Sequence, residues 1–330
     1  MSKRAVAIFS LGGTIAMTTD PATGGVVPAL SAHELLAAVP ALQELNTDLR
    51  VHDFRRLPGA SLSFDDLSAL SGAIADAFQD GCDGAVVTQG TDTIEETAYL
   101  LDLLHAGDQP IVVTGAMRNP TQPGADGPAN IHAAVIAAAA PELHGAGTVV
   151  VLGDEIHAAR NVRKSHSTSP AAFTSPATGS LGRLYEGRVH LHGPLLTRTA
   201  FPGPLTGSAP RVGLYTATLG DDGTLLATMA EACDGLVIAA FGVGHVPQNY
   251  VATLERTASR IPVVLATRIG NGPVLQSTYS FPGSEKDLLA RGLIRAGHLD
   301  PYKARLLLHL LLAQGHKTDE IAAAFRAAAD

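Results

Sequence analysis

The chain has 330 residues, of which 46% are hydrophobic and only 16% charged; this excludes an unstructured chain and suits two buried cores better than one. A formal net charge of -8 with scattered Lys and Arg argues against nucleic acid or an anionic membrane as principal partner, because either favours a basic face, and leaves a small neutral or zwitterionic ligand as the better fit. Cys82 and Cys233, the two cysteines, lie far apart in sequence and make no disulfide framework.

The opening MSKRAVAIFSLGGTIAM pairs a basic start with a short apolar run. Gly12 and Gly13 interrupt that run before a signal-peptide core forms, so Ala5 to Phe9 is expected as a buried strand. Further Val- and Ile-rich runs predict strands at Gly84 to Thr88, Ile111 to Thr114, Thr148 to Leu152, Val212 to Tyr215, Gly235 to Ala240 and Val263 to Thr267. Ala- and Leu-rich segments between them predict helices over Asp65 to Phe78, Thr93 to His105, Asn130 to Ala140, Asp287 to Arg295 and Pro301 to Ala313. This alternation implies an α/β fold of two open, mostly parallel-sheet domains, flavodoxin-like or Rossmann-like. Pro and Gly residues without a sustained period between His192 and Arg211 place a linker at 196–210, separating a larger N-terminal domain, 1–195, from a smaller C-terminal one, 211–330. GCDGAVV from Gly81 and ACDGLVI from Ala232 suggest analogous helix-to-strand junctions in the two domains. No apolar run reaches transmembrane length, and the cytoplasm is the default location.

Two segments carry the chemistry. The first strand runs into Leu11-Gly12-Gly13-Thr14-Ile15-Ala16, which sets a threonine hydroxyl on a glycine-rich turn beyond the carboxyl end of a strand, where open α/β sheets bind ligands. The competing reading is a tight strand exit with a capping threonine. In the second segment, Thr88-Gln89-Gly90-Thr91-Asp92-Thr93-Ile94-Glu95-Glu96, strand, turn and helix start are fused. Thr93 and Glu96 have capping-box spacing, and Glu95 and Glu96 suit a helix N-terminus. Thr91 and Asp92 then sit where backbone amides and the helix dipole stabilise an oxyanion, unless Thr-Asp-Thr is only a helix cap. The glycine spacing is neither a dinucleotide fingerprint nor a phosphate loop, so no nicotinamide or ATP is expected. His190 and His192 alternate on a strand without a third ligand at metal-site spacing; no metal or other cofactor is implied.

Together the two segments resemble the paired signatures of the bacterial-type L-asparaginase and glutaminase-asparaginase family. The resemblance continues through Val113-Thr114-Gly115-Ala116-Met117-Arg118, Ala125-Asp126-Gly127-Pro128-Ala129-Asn130, Arg160-Asn161-Val162-Arg163-Lys164, Phe241-Gly242-Val243-Gly244 and Pro301-Tyr302-Lys303-Ala304-Arg305. It implies an amidohydrolase in which Thr14 is the nucleophile and Thr91, Asp92 and Lys164 form the proton relay. That division of labour is chemically coherent, because a threonine hydroxyl needs a base or relay near neutral pH and a lysine partly removed from water gives up its proton more readily. The resemblance also assigns substrate contacts to the Gly13 and Gly90 turns, to Ser61 for the α-carboxylate, to the Ala116 carbonyl for the scissile amide nitrogen, and to His245 and Glu285 for the α-ammonium. A turn serine at Ser61 and a solvated helix-start glutamate at Glu285, beside Lys286 and Asp287, are the alternatives. A homodimer or homotetramer is implied, with Glu285 or His245 of one chain completing the pocket of another.

Four positions depart from the family pattern. Leu11 stands where Thr is usual, Gln89 where His is usual, and His245 where Asn is common. The segment Thr18 to Pro28, which normally supplies a tyrosine beside the nucleophile, contains none. The expected activity is hydrolysis of L-asparagine to aspartate and ammonia through a threonine acyl-enzyme, with L-glutamine as a side substrate. An amidase for another substrate and a non-catalytic amino-acid-binding homologue are the alternatives.

Overall fold

The computed structural model describes residues 3–19, 25–28, 30–195, 197–203, 205 and 209–329. The chain divides into two compact units, Met1–Pro202 and Gly203–Asp330. Part of the expected linker, residues 196, 204 and 206–208, lies outside the described residues.

In chain order the first unit runs β1 (Arg4–Ser10), β2 (Met17–Thr19), β3 (Val26–Pro28), α1 (Ala32–Ala37), β4 (Thr47–Asp53), α2 (Phe64–Gln79), β5 (Gly84–Thr88), α3 (Ile94–Leu104), β6 (Ile111–Thr114), α4 (Gly127–Ala139), β7 (Thr148–Leu152), β8 (Glu155–Ala158), β9 (Arg163–Lys164), β10 (Phe173–Thr174), β11 (Gly182–Tyr185) and β12 (Arg188–Leu191). Among the described residues these form an eight-stranded sheet in the order β12-β11-β8-β7-β6-β5-β1-β4, with β2–β3 and β9–β10 as separate hairpins. From β4 to β7 the strands are parallel; β8, β11 and β12 continue antiparallel. The chain leaves β1 for β4 on one side and returns at β5 on the other. That reversal opens a crevice at the carboxyl end of β1, the position at which such sheets hold ligands.

In the second unit, β13 (Val212–Thr216), α5 (Thr224–Ala232), β14 (Gly235–Ala240), α6 (Val251–Ala258), β15 (Val263–Thr267), α7 (Glu285–Ala290), β16 (Ile294–Arg295), α8 (Pro301–Ala313) and α9 (Thr318–Ala329) build a parallel sheet in the order β13-β14-β15-β16. The helix expected to reach Arg295 ends instead at Ala290: Gly292 turns the chain at φ +94°, and Ile294 and Arg295 pair with Val264 and Leu265.

The inner strands are continuous apolar runs because both faces are covered; β5, β6, β7, β14 and β15 are buried along their whole length. The two Cys-Asp-Gly sites do the same work in each unit. Asp83 accepts from the Ala5 amide at 2.8 Å and Asp234 from the Arg211 amide at 2.8 Å, each locking the start of the neighbouring strand. The glycine that follows is needed for close packing: a Cβ at Gly84 would lie 2.0 Å from the Ala138 carbonyl oxygen, and one at Gly235 would lie 2.7 Å from Leu312.

One buried histidine gives this fold a pH dependence. His309, on α8, is only 4% exposed; burial and the Arg305 charge push its pKa down to about 4, against a hydrogen bond to the Pro210 carbonyl that pulls it up. The folded value is below the unfolded one, so the stabilisation is complete above about pH 6.5 and is lost as pH falls towards 4, by about 2–3 kcal/mol. Urea unfolding at pH 7 and pH 4.5 should therefore show a smaller acid-induced drop for His309→Leu than for the parent protein; equal drops would refute this assignment.

Candidate active site

Ser10 pairs with Asp53 on one side and Thr88 on the other, and Thr88 pairs with Thr114, so β4, β1, β5 and β6 end in one row across the sheet. Each strand hands its chain to a turn at the same edge: β4 to the turn Gly59–Ser61, β1 to Thr14, β5 to Thr91 and Asp92, and β6 to Ala116. Backbone bonds hold the turns together, Leu11 donating to the Thr88 carbonyl and Leu57 to the Leu11 carbonyl, both at 2.9 Å. Gly13 shows why a side chain is excluded here: its φ is +82°, and a Cβ would fall 2.0 Å from the Gly90 nitrogen. Gly90 in turn lies against Gly59, so three backbones meet where the nucleophile candidate, the relay candidate and the Ser61 turn converge.

Thr14 opens a short 3-10 turn in which Ile15 and Ala16 are buried. Its own side chain is half-buried, and the hydroxyl has no hydrogen-bond partner among the described residues. Residues 20–24, within the segment that lacks the family's tyrosine, lie outside the described residues.

Lys164 reaches this edge from the β9–β10 hairpin. Its Nζ donates to Thr91 Oγ1 at 2.9 Å and to Asp92 Oδ1 at 2.9 Å. Thr91 is 6% exposed and the Lys164 side chain 16%, whereas that of Asp92 is 65% exposed; the lysine thus links a buried hydroxyl to a carboxylate in contact with solvent. Glu95, near the start of α3, accepts from the Lys164 amide at 2.9 Å and fixes the hairpin that carries the ammonium. Glu95 had registered in the sequence only as an acid at a helix start; its partner is 69 positions away and invisible to local pattern.

The capping box expected at Thr93 and Glu96 does not form, since Thr93 makes no side-chain cap bond. Its hydroxyl donates instead to the Gly59 carbonyl at 2.9 Å and accepts from Gln89 Nε2 at 3.3 Å, tying the second signature to the Ser61 turn. Gln89, standing where the family usually has His, therefore bonds within the turn scaffold. Ser61 is exposed, and Ala116 is buried at the end of β6.

His245 and Glu285 lie in the second unit and pair with each other, His245 Nε2 standing 3.1 Å from Glu285 Oε2. Glu285 is not a solvated helix-start residue. It is 0% exposed, and its other oxygen accepts from the Thr278 and Tyr279 amides at 3.0 and 2.8 Å. Burial works to raise its carboxyl pKa, but these amides and the imidazole outweigh it and hold the group below the usual range. Tyr279 and Phe281 flank the imidazole edge-on, with ring centroids at 4.8 and 4.9 Å.

The structure thus brings Thr91, Asp92 and Lys164 into direct contact, sets Thr14, Gly13, Gly90, Ser61 and Ala116 along the same sheet edge, and joins His245 to Glu285. Fold and site define an open α/β protein with a hydroxyl- and lysine-bearing crevice at its switch point. Residues 5–197 match the family model for the asparaginase N-terminal domain, and residues 211–325 that for the glutaminase/asparaginase C-terminal domain. An L-asparaginase of Bacillus licheniformis is 37% identical over 316 residues, covering 95% of this chain and 96% of its own. L-asparaginase 2 of Escherichia coli is 32% identical, covering 96% and 91%. The crystal structure of a probable cytoplasmic L-asparaginase from Campylobacter jejuni superposes with a TM-score of 0.87 at 31% identity, covering 98% of this chain and all of that one. The chain belongs to the asparaginase family.

Proposed function

We propose that the protein hydrolyses L-asparagine to L-aspartate and ammonia, with L-glutamine as a side substrate. The observation that carries this reading is the Lys164 Nζ, 2.9 Å from both Thr91 Oγ1 and Asp92 Oδ1 on the sheet edge that also bears Thr14. Thr14 Oγ attacks the carboxamide carbon as its proton passes by way of the Thr91 hydroxyl to Lys164 Nζ, which serves in its neutral amine form and returns that proton to the departing nitrogen. The backbone near Thr91 stabilises the charge that develops on the tetrahedral oxygen. Collapse of that intermediate breaks the C–N bond, the nitrogen takes up a proton and departs as ammonia, and water then cleaves the acyl-threonine ester to give aspartate. Ser61 holds the α-carboxylate, and the Gly13 and Gly90 turns let the substrate approach the backbone. The Ala116 carbonyl accepts from the amide nitrogen.

In the same reading residues 1–195 supply nucleophile and relay, 196–210 form a linker, and 211–330 supply Glu285 and His245. These two residues complete the pocket of a neighbouring chain in a homodimer or homotetramer that works in the cytoplasm. His245, its side chain 25% exposed, is the member of the pair that reaches the surface, and the fully buried Glu285 carboxylate stands behind it to favour an α-ammonium.

Ammonia release from L-asparagine and L-glutamine, assayed across a sedimentation gradient, tests both levels. Turnover on asparagine exceeding that on glutamine, in fractions of dimer size or larger, is the expected result. Saturable asparagine binding without ammonia would instead identify a non-catalytic homologue, an outcome that the tyrosine-free segment from Thr18 to Pro28 keeps pertinent. A fully active monomer would refute the shared site.

A further inference from the structure

Asp126 and Asn130, in the Ala-Asp-Gly-Pro-Ala-Asn run, have no part in the chemistry described above, yet they determine how the Ala116 turn is held. Asp126 Oδ2 accepts from the Met117 amide at 3.0 Å and Oδ1 from the Arg118 amide at 2.8 Å. Asn130 Nδ2 donates to the Gly115 carbonyl at 2.9 Å and to Asp126 Oδ2 at 3.1 Å, while its Oδ1 accepts from the Gly153 amide at 3.0 Å. Asn130 is 3% exposed, so nearly all its hydrogen-bonding capacity is committed inside the fold. The two side chains therefore grip the peptide groups on both sides of Ala116.

The consequence follows from peptide planarity. In a trans peptide group the N–H and C=O point in opposite directions. With the Met117 N–H drawn onto Asp126 at the start of α4, the Ala116 carbonyl must point away from α4. The loop has no room to rotate. A Cβ on Gly115 would lie 2.6 Å from the Gln89 carbonyl oxygen and 3.4 Å from Thr91 Cγ2, and one on Gly127 would lie 3.0 Å from Ile15 and 3.5 Å from the Ala116 Cβ. The Ala116 turn is thus packed between the relay threonine and the residue next to Thr14.

We propose that Asp126 and Asn130 are positioning residues that aim the Ala116 carbonyl at the amide N–H of the substrate, and that this clamp sets the preference for amides over esters. The inference rests on amide hydrolysis as the activity. A carbonyl oxygen held at that point accepts a hydrogen bond from a carboxamide nitrogen, whereas an ester oxygen at the same place offers no proton and sets two acceptors face to face. Asp126→Asn preserves size and shape but turns one acceptor into a donor pointed at a backbone N–H, which releases one of the two amides.

The test compares kcat/KM for L-asparagine, followed by ammonia, with kcat/KM for L-aspartate β-methyl ester, followed by acid release, in the parent protein and in Asp126→Asn. Asparagine turnover is expected to fall about tenfold to a hundredfold while ester turnover changes less than about threefold, so that the amide-to-ester ratio drops at least about tenfold. Equal losses on both substrates would mean a merely structural role and overturn the proposal. Failure of the parent protein to hydrolyse asparagine would overturn it together with the activity it rests on, whereas a constant ratio in an active parent overturns the clamp alone. If Asp126→Asn does not fold, Asn130→Ser, which shortens the side chain away from the Gly115 carbonyl, is read by the same ratio.

Discussion

Replacing Thr14 with alanine is expected to abolish ammonia release from asparagine, by about a thousandfold or more, while leaving the fold and asparagine binding nearly unchanged. The size of the kinetic loss follows from the role. A nucleophile forms the covalent intermediate, and no neighbouring group substitutes for a missing Oγ, so what survives is the smaller catalysis due to oxyanion stabilisation and binding. The small structural cost follows from local geometry. The Thr14 hydroxyl has no partner among the described residues, and the turn is held by buried Ile15 and Ala16 and by the Gly13–Gly90 backbone contact. Removing a half-buried hydroxyl from such a turn costs about 1 kcal/mol or less. Calorimetric titration with asparagine and a thermal melt, beside the ammonia assay, separate the two effects. Residual turnover near the parent level in a folded, binding-competent variant would remove Thr14 from the mechanism. Thr14→Ser, which restores an Oγ, is expected to recover part of the rate.

The inner strands were legible almost residue by residue. Gly84–Thr88, Ile111–Thr114, Thr148–Leu152, Gly235–Ala240 and Val263–Thr267 coincide with apolar runs because strands buried on both faces leave no polar positions to blur their ends. Strand β4 went unread for the opposite reason. It lies at the sheet edge, and Thr47-Asp48-Leu49-Arg50-Val51-His52-Asp53 carries charged residues that suit an edge but mask a strand. At the site, the two glycine turns declared themselves because close backbone approach demands glycine. The contacts that fix Lys164 and Ala116 did not. The Glu95 bond to the Lys164 amide and the Asp126 bonds to Met117 and Arg118 join a side chain to the backbone of another segment, which no residue periodicity encodes. Glu285 marks a further limit: flanked by Lys286 and Asp287 it reads as a surface residue, yet it is fully buried against two backbone amides and an imidazole.

Lys164→Met should reduce turnover nearly as much as loss of the nucleophile, by about a hundredfold to ten-thousandfold, the range that general acid–base groups supply. Methionine matches the length of the lysine stem and fills the same partly buried channel, but it can neither take nor return a proton. The hairpin should stay in place, because the anchors of residue 164 are backbone ones: its amide donates to Glu95 at 2.9 Å, it pairs with Phe173, and the next amide, of Ser165, donates to the Ala172 carbonyl at 2.7 Å. Asp92 is mostly exposed, so water replaces the ammonium there at little cost; Thr91 loses one donor, about 1 kcal/mol. Arginine should not rescue the variant, since its guanidinium is bulkier and remains charged throughout the working range. Rapid-quench measurement of acyl-enzyme formation locates the defect: a relay that serves the attack slows the first step, with little change in asparagine affinity. Unimpaired acylation in Lys164→Met would leave Thr14 to lose its proton by another route and reduce the Thr91–Lys164–Asp92 cluster to a structural clasp.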